Sequence, residues 1–280
     1  MKSCLTILLL ASPVFAAEPL EQRIGHNDPS SYRQLSAVHQ GAGEMQFMGV
    51  LDSSALNTNF LFLHAAVILP KGGIGHHFHH QMEEMYVILE GEAEFTINGR
   101  TSRLVGPAVV PCKMGQSHAM YNPTDKPIRW FNFAVSAKKG KGDAFDLGDD
   151  RIGATLDPVP VFVSRRLDRK ALRPVQGYHG GQGTVHYRRA LPATIFSTSW
   201  AYVDHLLIPP GASAGVRKLA DTEEVLLVLE GTGLVQLNGQ EAKIDQGDAV
   251  PVRFGEALAL TNESGNDLEL LVIGIAKEKQ

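Results

Sequence analysis

Cysteine is nearly absent. The 280 residues hold two, Cys4 and Cys112. Cys4 falls in an N-terminal segment that reads as a signal peptide: Lys2 as its positive start, Leu5 to Leu10 as its apolar stretch, and Val14-Phe15-Ala16 as a small-residue cleavage signal. Cleavage is expected after Ala16 or Ala17, with a periplasmic or secreted product. Cys112 would then be the lone thiol, so no internal disulfide is expected even in an oxidising compartment. The repeat described below pairs Cys112 with Val252, which favours a small buried residue over a nucleophile.

Long hydrophobic runs are also missing. The N-terminal apolar stretch is too short to anchor in a bilayer and no later segment resembles a span, so no membrane anchor is expected. There is no large basic block, and the net charge is −4, which argues against nucleic acid as a partner. The basic cluster Lys138-Lys139-Gly140-Lys141 is followed at once by Asp143, Asp146, Asp149 and Asp150, as in a solvated linker of mixed charge. No P-loop, G-x-G-x-x-G or H-E-x-x-H occurs. Gly211-Ala-Ser213-Ala-Gly215 matches the G-x-S-x-G nucleophile elbow, but no His follows His205 to complete a triad. A sustained 3.6-residue period is absent as well.

What is present is one unit written twice. Shifted by 140 residues, the chain matches itself without gaps from about Arg33 to Ala134. His39-Gln-Gly41-Ala-Gly43 falls on His179-Gly-Gly181-Gln-Gly183, Glu83-Glu84 on Glu223-Glu224, and Pro111, Gly115 and Asn122 on Pro251, Gly255 and Asn262. Each copy reads as short strands. Ala93 to Ile97 alternates and runs into Asn98-Gly99, a type I′ hairpin signal repeated at Asn238-Gly239. Many short strands at regular spacing, in two copies, predict an all-β chain of two small barrels. The expected boundaries are a signal peptide over 1–16, a first barrel over 30–136, a linker over 137–169 and a second barrel over 170–276.

The histidines are uneven. Four of eleven lie in His76-His77-Phe78-His79-His80. On a strand, residues i and i+2 share a face about 7 Å apart, and only His77 and His79 form such a histidine pair. A carboxylate follows after a short turn, at Glu83 or Glu84, and His118 arrives on a later strand. Imidazoles with one carboxylate suit a borderline divalent metal with positions left open. His76 and His80 alternate away and are expected at the rim. His64 lies on a strand expected near the site, opposite Asp204 of the second copy, where it could serve as a neighbour of the ligands or as an acid/base.

His77-Phe-His79-x4-Glu84-x6-Gly91 resembles the first motif of the cupin family, and Gly115-x2-His118-x3-Asn122 its second. Three residues rather than one separate Pro111 from Gly115, a minor departure. The resemblance covers both copies. It implies tandem cupin barrels of jelly-roll type, with a metal held inside the first by His77, His79, Glu84 and His118. The six-residue gap to Gly91 selects Glu84 over Glu83. In the second copy Arg217, Leu219 and Leu258 replace the three histidines and only Glu224 remains, so one metal per chain is expected, Mn or Fe first, with Ni, Cu and Zn as alternatives. Features common to both copies, His39/His179 and Asn122/Asn262 among them, read as structural.

Resemblance to two-barrel members of the family implies a quercetinase-like dioxygenase, an oxalate decarboxylase, or an isomerase or lyase. The expectation taken forward is an exported metal-dependent oxidoreductase acting on a small organic acid, enol or diol, with Glu84 and His64 as catalytic candidates. The alternative is a non-catalytic metal- or carbohydrate-binding protein. A homo-oligomer is expected, since the family often forms one.

Overall fold

The computed structural model describes residues 18–279, so the expected signal peptide over 1–16 and Cys4 lie outside the described residues. The first copy forms ten strands: β1 (Arg33–Ser36), β2 (Glu44–Asp52), β3 (Phe60–Ile68), β4 (Gly73–Phe78), β5 (Met82–Glu90), β6 (Glu92–Ile97), β7 (Arg100–Val105), β8 (Ala108–Cys112), β9 (Ser117–Tyr121) and β10 (Ile128–Ser136). Three two-residue strands follow, β11 (Phe145–Asp146), β12 (Leu156–Asp157) and β13 (Arg165–Arg166). The second copy repeats the set: β14 (Arg173–Gln176), β15 (Thr184–Pro192), β16 (Trp200–Ile208), β17 (Ser213–Lys218), β18 (Thr222–Glu230), β19 (Thr232–Leu237), β20 (Gln240–Asp245), β21 (Ala249–Val252), β22 (Ala257–Thr261) and β23 (Leu268–Ala276). Apart from the start of β21, every strand of the second copy lies 140 residues after its twin. The one α-helix among the described residues, Leu20–Arg23, has four residues; none is long and apolar enough to cross a membrane.

Each barrel is two facing sheets. The first pairs the order β1-β2-β3-β10-β5-β8-β13 with β11-β4-β9-β6-β7-β12; the second pairs β14-β15-β16-β23-β18-β21 with β17-β22-β19-β20. Asn98 and Gly99 both take positive φ (49° and 74°), as do Asn238 and Gly239 (49° and 82°), which is the type I′ geometry their sequence favours.

Alternation along β5 explains how the barrels join. Tyr86 and Ile88 point into the first barrel beside Phe95 and Trp130. Met85 and Val87 point the other way, into a second layer that also contains Val203, Val225, Leu227 and Ile273 of the other copy. Both faces of β5 are therefore buried, so it reads as a near-continuous apolar run. Each aliphatic side chain sealed there contributes roughly 1.5–3 kcal/mol. The interior of the second barrel is a separate core built on Leu226, Val228, Leu260 and Leu270.

The segment before each barrel crosses to the other one. Gly25 exchanges two backbone hydrogen bonds with Ala249 of β21 (2.9 and 2.8 Å). One repeat later, β13 pairs with β8, placing Arg165 against Val109. Glu83, the competitor of Glu84 in the sequence, and its repeat twin Glu223 complete this interface. Glu83 is fully buried and accepts the backbone N–H groups of Ser197 (2.8 Å) and Thr198 (2.7 Å) and the Thr198 hydroxyl (2.6 Å). Its twin Glu223 accepts the N–H groups of Asn57 (2.7 Å) and Thr58 (2.7 Å). A buried carboxylate requires such donors, and each barrel supplies them to the other.

Candidate metal centre

The first barrel gathers His77, His79, Glu84 and His118. All four are buried, and one ligand atom from each lies within 4.8 Å of the others. The cluster bridges the two sheets. His77 of β4 stands directly across from His118 of β9, while Glu84 faces them from β5 with the parity of Tyr86 and Ile88. His79 lies just past the end of β4, and its ring centroid is 5.0 Å from that of His77.

Each imidazole is turned by its Nδ1. His77 Nδ1–H donates to the Gly75 carbonyl (2.8 Å), that of His79 to the Asp143 carbonyl, and that of His118, more loosely, to the Gln116 carbonyl (3.5 Å). Anchoring Nδ1 to backbone leaves the Nε2 lone pairs pointing inward, the arrangement that fixes tautomer and aim at metal-binding histidines. His79 Nε2 is buried and has no hydrogen-bond partner, although it lies 3.3 Å from Glu84 Oε2. His118 Nε2 is 2.9 Å from the same oxygen. Three imidazoles and a carboxylate converging on one point, with the His79 Nε2 left without a hydrogen-bond partner, fit a shared cation and suit a first-row transition ion.

Glu84 is held on its outer side. Asn132 Nδ2 donates to Oε1 (2.9 Å) and the Tyr86 hydroxyl to Oε2 (3.2 Å). Burial raises its pKa, but the adjoining His118 and His79 more than reverse this and hold the carboxyl well below its usual range. Burial depresses His77 to about 2, reinforced by the neighbouring His118. Burial would also depress His79, but the Glu84 carboxylate overrides it and raises that pKa. Burial, then the Glu84 charge, lifts the Tyr86 phenol well above its normal range, so it remains a donor.

A cavity of about 260 Å³ adjoins the cluster, walled by Val38, Phe47, Phe62, His64 and Trp130 with Asn132. His64 therefore reaches the site, as its strand implied. Its ring stacks on Phe62 (3.9 Å between centroids, 2° between planes) and meets Phe47 edge-on (4.7 Å). Burial lowers its pKa to about 4, so it is a neutral imidazole at ordinary pH.

Other expectations fare differently. His76 does point away from the ligands, but it is buried rather than exposed at a rim: Nε2 bonds Ser117 Oγ (2.8 Å), and its N–H donates to the Asp149 carbonyl (2.7 Å). His80 is exposed, with its N–H directed at the Asp143 carboxylate (3.1 Å). The acidic stretch after Lys141 is therefore more than solvated linker. It lies along β4, pairing Phe145 with Phe78 and Asp146 with His77. Cys112 is buried in β8, and burial pushes its thiol well above the ordinary range.

His39 is the residue that sequence reasoning missed. Its ring stacks on His77 (3.8 Å, 11°) and its Nδ1 bonds Asp146 Oδ1 (2.7 Å). The close approach depends on Gly75, where a Cβ would fall 2.0 Å from the His39 carbonyl oxygen. Because His39 recurs as His179, duplication marked it as structural. The useful signal was the aspartate-rich linker, which has no second copy.

Comparison with known proteins agrees with this geometry. The family model described as Cupin domain matches residues 65–134 and 204–274, half of the chain. The chain belongs to the cupin family. A relative from Thermotoga maritima, described as an oxalate-binding protein, is 27% identical over 99 residues, which is 35% of this chain and 82% of the relative. Among solved structures, the salicylate 1,2-dioxygenase of Pseudaminobacter salicylatoxidans is similar with a TM-score of 0.64 at 17% identity, over 82% of this chain and 76% of the other. An oxalate decarboxylase of Bacillus subtilis, described with Mn(II) centres, is similar with a TM-score of 0.62 at 16% identity, over 91% of this chain and 78% of the other. At these identities the two structures show a shared two-barrel fold and do not assign a reaction.

Proposed function

We propose that this two-barrel cupin is a metal-dependent oxidoreductase of the dioxygenase or decarboxylase kind, acting on a small organic acid, enol or diol in the first barrel. The observation that carries this reading is the convergence of three inward-aimed imidazole Nε2 atoms and Glu84 beside a cavity. His77, His79, Glu84 and His118 would hold one divalent ion, Mn or Fe first. A bound ion would supply Lewis-acid polarisation and, if redox-active, electron transfer.

The protein's own residues divide the remaining work. Asn132 and Tyr86 fix the carboxylate orientation, so Glu84 serves as ligand and as a proton carrier only when one of these bonds lets go. Phe47, Phe62 and Trp130 give the cavity an apolar wall and favour a substrate with an apolar edge. Neutral His64 is placed to accept a proton from a bound acid or enol. Export is part of the proposal and rests on the signal-like residues 1–16.

The test has two parts. Elemental analysis of the native protein should find one transition-metal equivalent. Oxygen uptake and CO2 release should then be followed with oxalate and with a catechol as probes. Consumption of either supports the reading. A second reading, capture without turnover, is favoured by the oxalate-binding relative. Tight oxalate binding with neither gas exchanged would establish it instead.

A further inference from the structure

The second barrel has lost the histidines but kept a hollow. Its interior holds a cavity of about 410 Å³, larger than the one beside the metal cluster and placed on the equivalent strands. If this copy were only a scaffold, aliphatic side chains would fill the space vacated by the imidazoles, because an empty interior costs stability. Leu219 and Leu258 do stand where His79 and His118 stand in the first copy, yet the cavity remains.

Polar groups line one side of it. Arg217, at the position of His77, directs Nη2 onto Glu224 Oε2 (2.5 Å). A guanidinium charge thus sits where the first barrel gathers its ligands. That is the only hydrogen bond the Arg217 side chain makes among the described residues, so its other guanidinium N–H donors are free toward the cavity. Around it, Val38, Phe47 and Phe62 of the first copy are replaced by Tyr178, Tyr187 and Tyr202, all of which line the cavity. Tyr202 donates to Glu224 Oε1 (2.6 Å), and its ring is packed so closely on Gly274 that a Cβ there would fall 2.5 Å from it. Burial pushes the Tyr178 hydroxyl up to about 12, so it too remains a donor. At the mouth Arg189 pairs with Asp204 through two bonds (2.8 and 3.1 Å) and lies over the Tyr202 ring (4.4 Å). The floor is apolar, formed by Leu206, Leu260 and Val272.

We infer that the second barrel is a binding site for the carboxylate of a small organic acid with an aromatic or apolar body. The carboxylate meets the free edge of Arg217 and the Tyr178 hydroxyl, and the body lies on the apolar floor between the tyrosine rings. Glu224, anchored by Tyr202, holds the guanidinium in place. Asp204 likewise balances Arg189, so recognition rests on directed donors rather than on a surplus of positive charge. The inference concerns the second barrel and is independent of the chemistry proposed for the first.

Benzoate and its neutral isostere benzamide are suitable probes, titrated calorimetrically into the full chain after metal removal and into the His118→Ala chain. Benzoate should bind with one equivalent in both, at least tenfold more tightly than benzamide, a ratio of about 10 to 100 being expected for a charge-assisted contact. The double substitution Arg217→Gln with Glu224→Gln removes both charges together and should weaken benzoate by the same factor, levelling the two probes. Should that variant fold poorly, Leu219→Trp, at a partly exposed position on the cavity wall, should abolish binding of both probes by filling the space. Equal affinity for benzoate and benzamide, unchanged benzoate binding in either variant, or no binding at about 10 mM would overturn the assignment.

Discussion

Replacing Glu83 by glutamine changes one atom in the interface between the barrels. The carboxylate accepts from Ser197 N–H, Thr198 N–H and the Thr198 hydroxyl, and is fully buried. A glutamine amide keeps one accepting oxygen and turns an NH2 toward donors. The hydroxyl can rotate to accept from it, but a backbone N–H cannot. The substitution therefore removes the charge assistance and leaves about one buried donor unsatisfied. At roughly 1.5–3 kcal/mol for a charged hydrogen bond and 1–3 for an orphaned donor, a loss of about 3 kcal/mol is expected. Urea unfolding followed by tryptophan fluorescence suits the measurement, because Trp200 stacks on Phe196 (4.5 Å) beside the Glu83 partners. Metal affinity should stay within about twofold of native, because Glu83 faces the opposite side of β5 from Glu84 and shares no partner with it. Glu84→Gln should invert the pattern, weakening metal binding while leaving the urea midpoint nearly in place. If Glu83→Gln loses the metal and Glu84→Gln does not, the parity assigned to β5 is wrong and the centre must be rebuilt around Glu83.

Further outcomes follow from the same structure. His118→Ala or His77→Ala should lower metal content below one equivalent by elemental analysis, whereas Glu224→Gln should leave it unchanged; two tightly bound equivalents in the native chain would contradict a single centre. His64 is held at about 4, mainly by burial, with Glu84 pulling up and Arg33 down, against an ordinary 6.5. The unfolded chain takes up the proton that the folded one refuses, so this stability is complete above about pH 6.5 and is lost as pH falls toward 4, at about 1.4 kcal/mol per unit. In metal-free protein, His64→Phe should flatten that decline between urea midpoints at neutral and mildly acid pH, and an unchanged slope would refute it. Asn122 is buried, and its amide reaches the Leu69 (3.1 Å) and Lys126 (2.7 Å) carbonyls while its oxygen accepts Thr124 N–H (3.0 Å). Asn122→Ala should cost about 2–4 kcal/mol with ligand geometry intact, and a loss too small to measure by urea unfolding would be inconsistent with it. Assembly into a homo-oligomer is proposed from the habit of the family, and a monomeric mass by light scattering would refute it.

Much of this protein was legible before any coordinate. The 140-residue register, the paired Asn-Gly turns and the short apolar runs specify two similar β-units, because hairpin turns and period-2 burial are local consequences of residue type. The HxH pair with its later glutamate and histidine marked the metal cluster, and the loss of that set in the second copy marked the asymmetry. The choice between Glu83 and Glu84 was also within reach of sequence, since alternate residues of a strand face opposite ways.

Tertiary structure alone decided what each face meets. That Glu83 answers Ser197 and Thr198 across the interface depends on a strand and a loop more than a hundred residues apart. The role of the Asp143–Asp149 stretch was hidden because charged, glycine-rich sequence looks solvated until a sheet edge is offered to it, and here it fixes His79, His39 and His76. His39 was obscured by its twin, for shared ancestry records only that both copies hold a histidine, not that one of them stacks on a ligand. The hollow in the second barrel has no sequence signature, because a cavity is the volume left between side chains of several strands and no single strand encodes it.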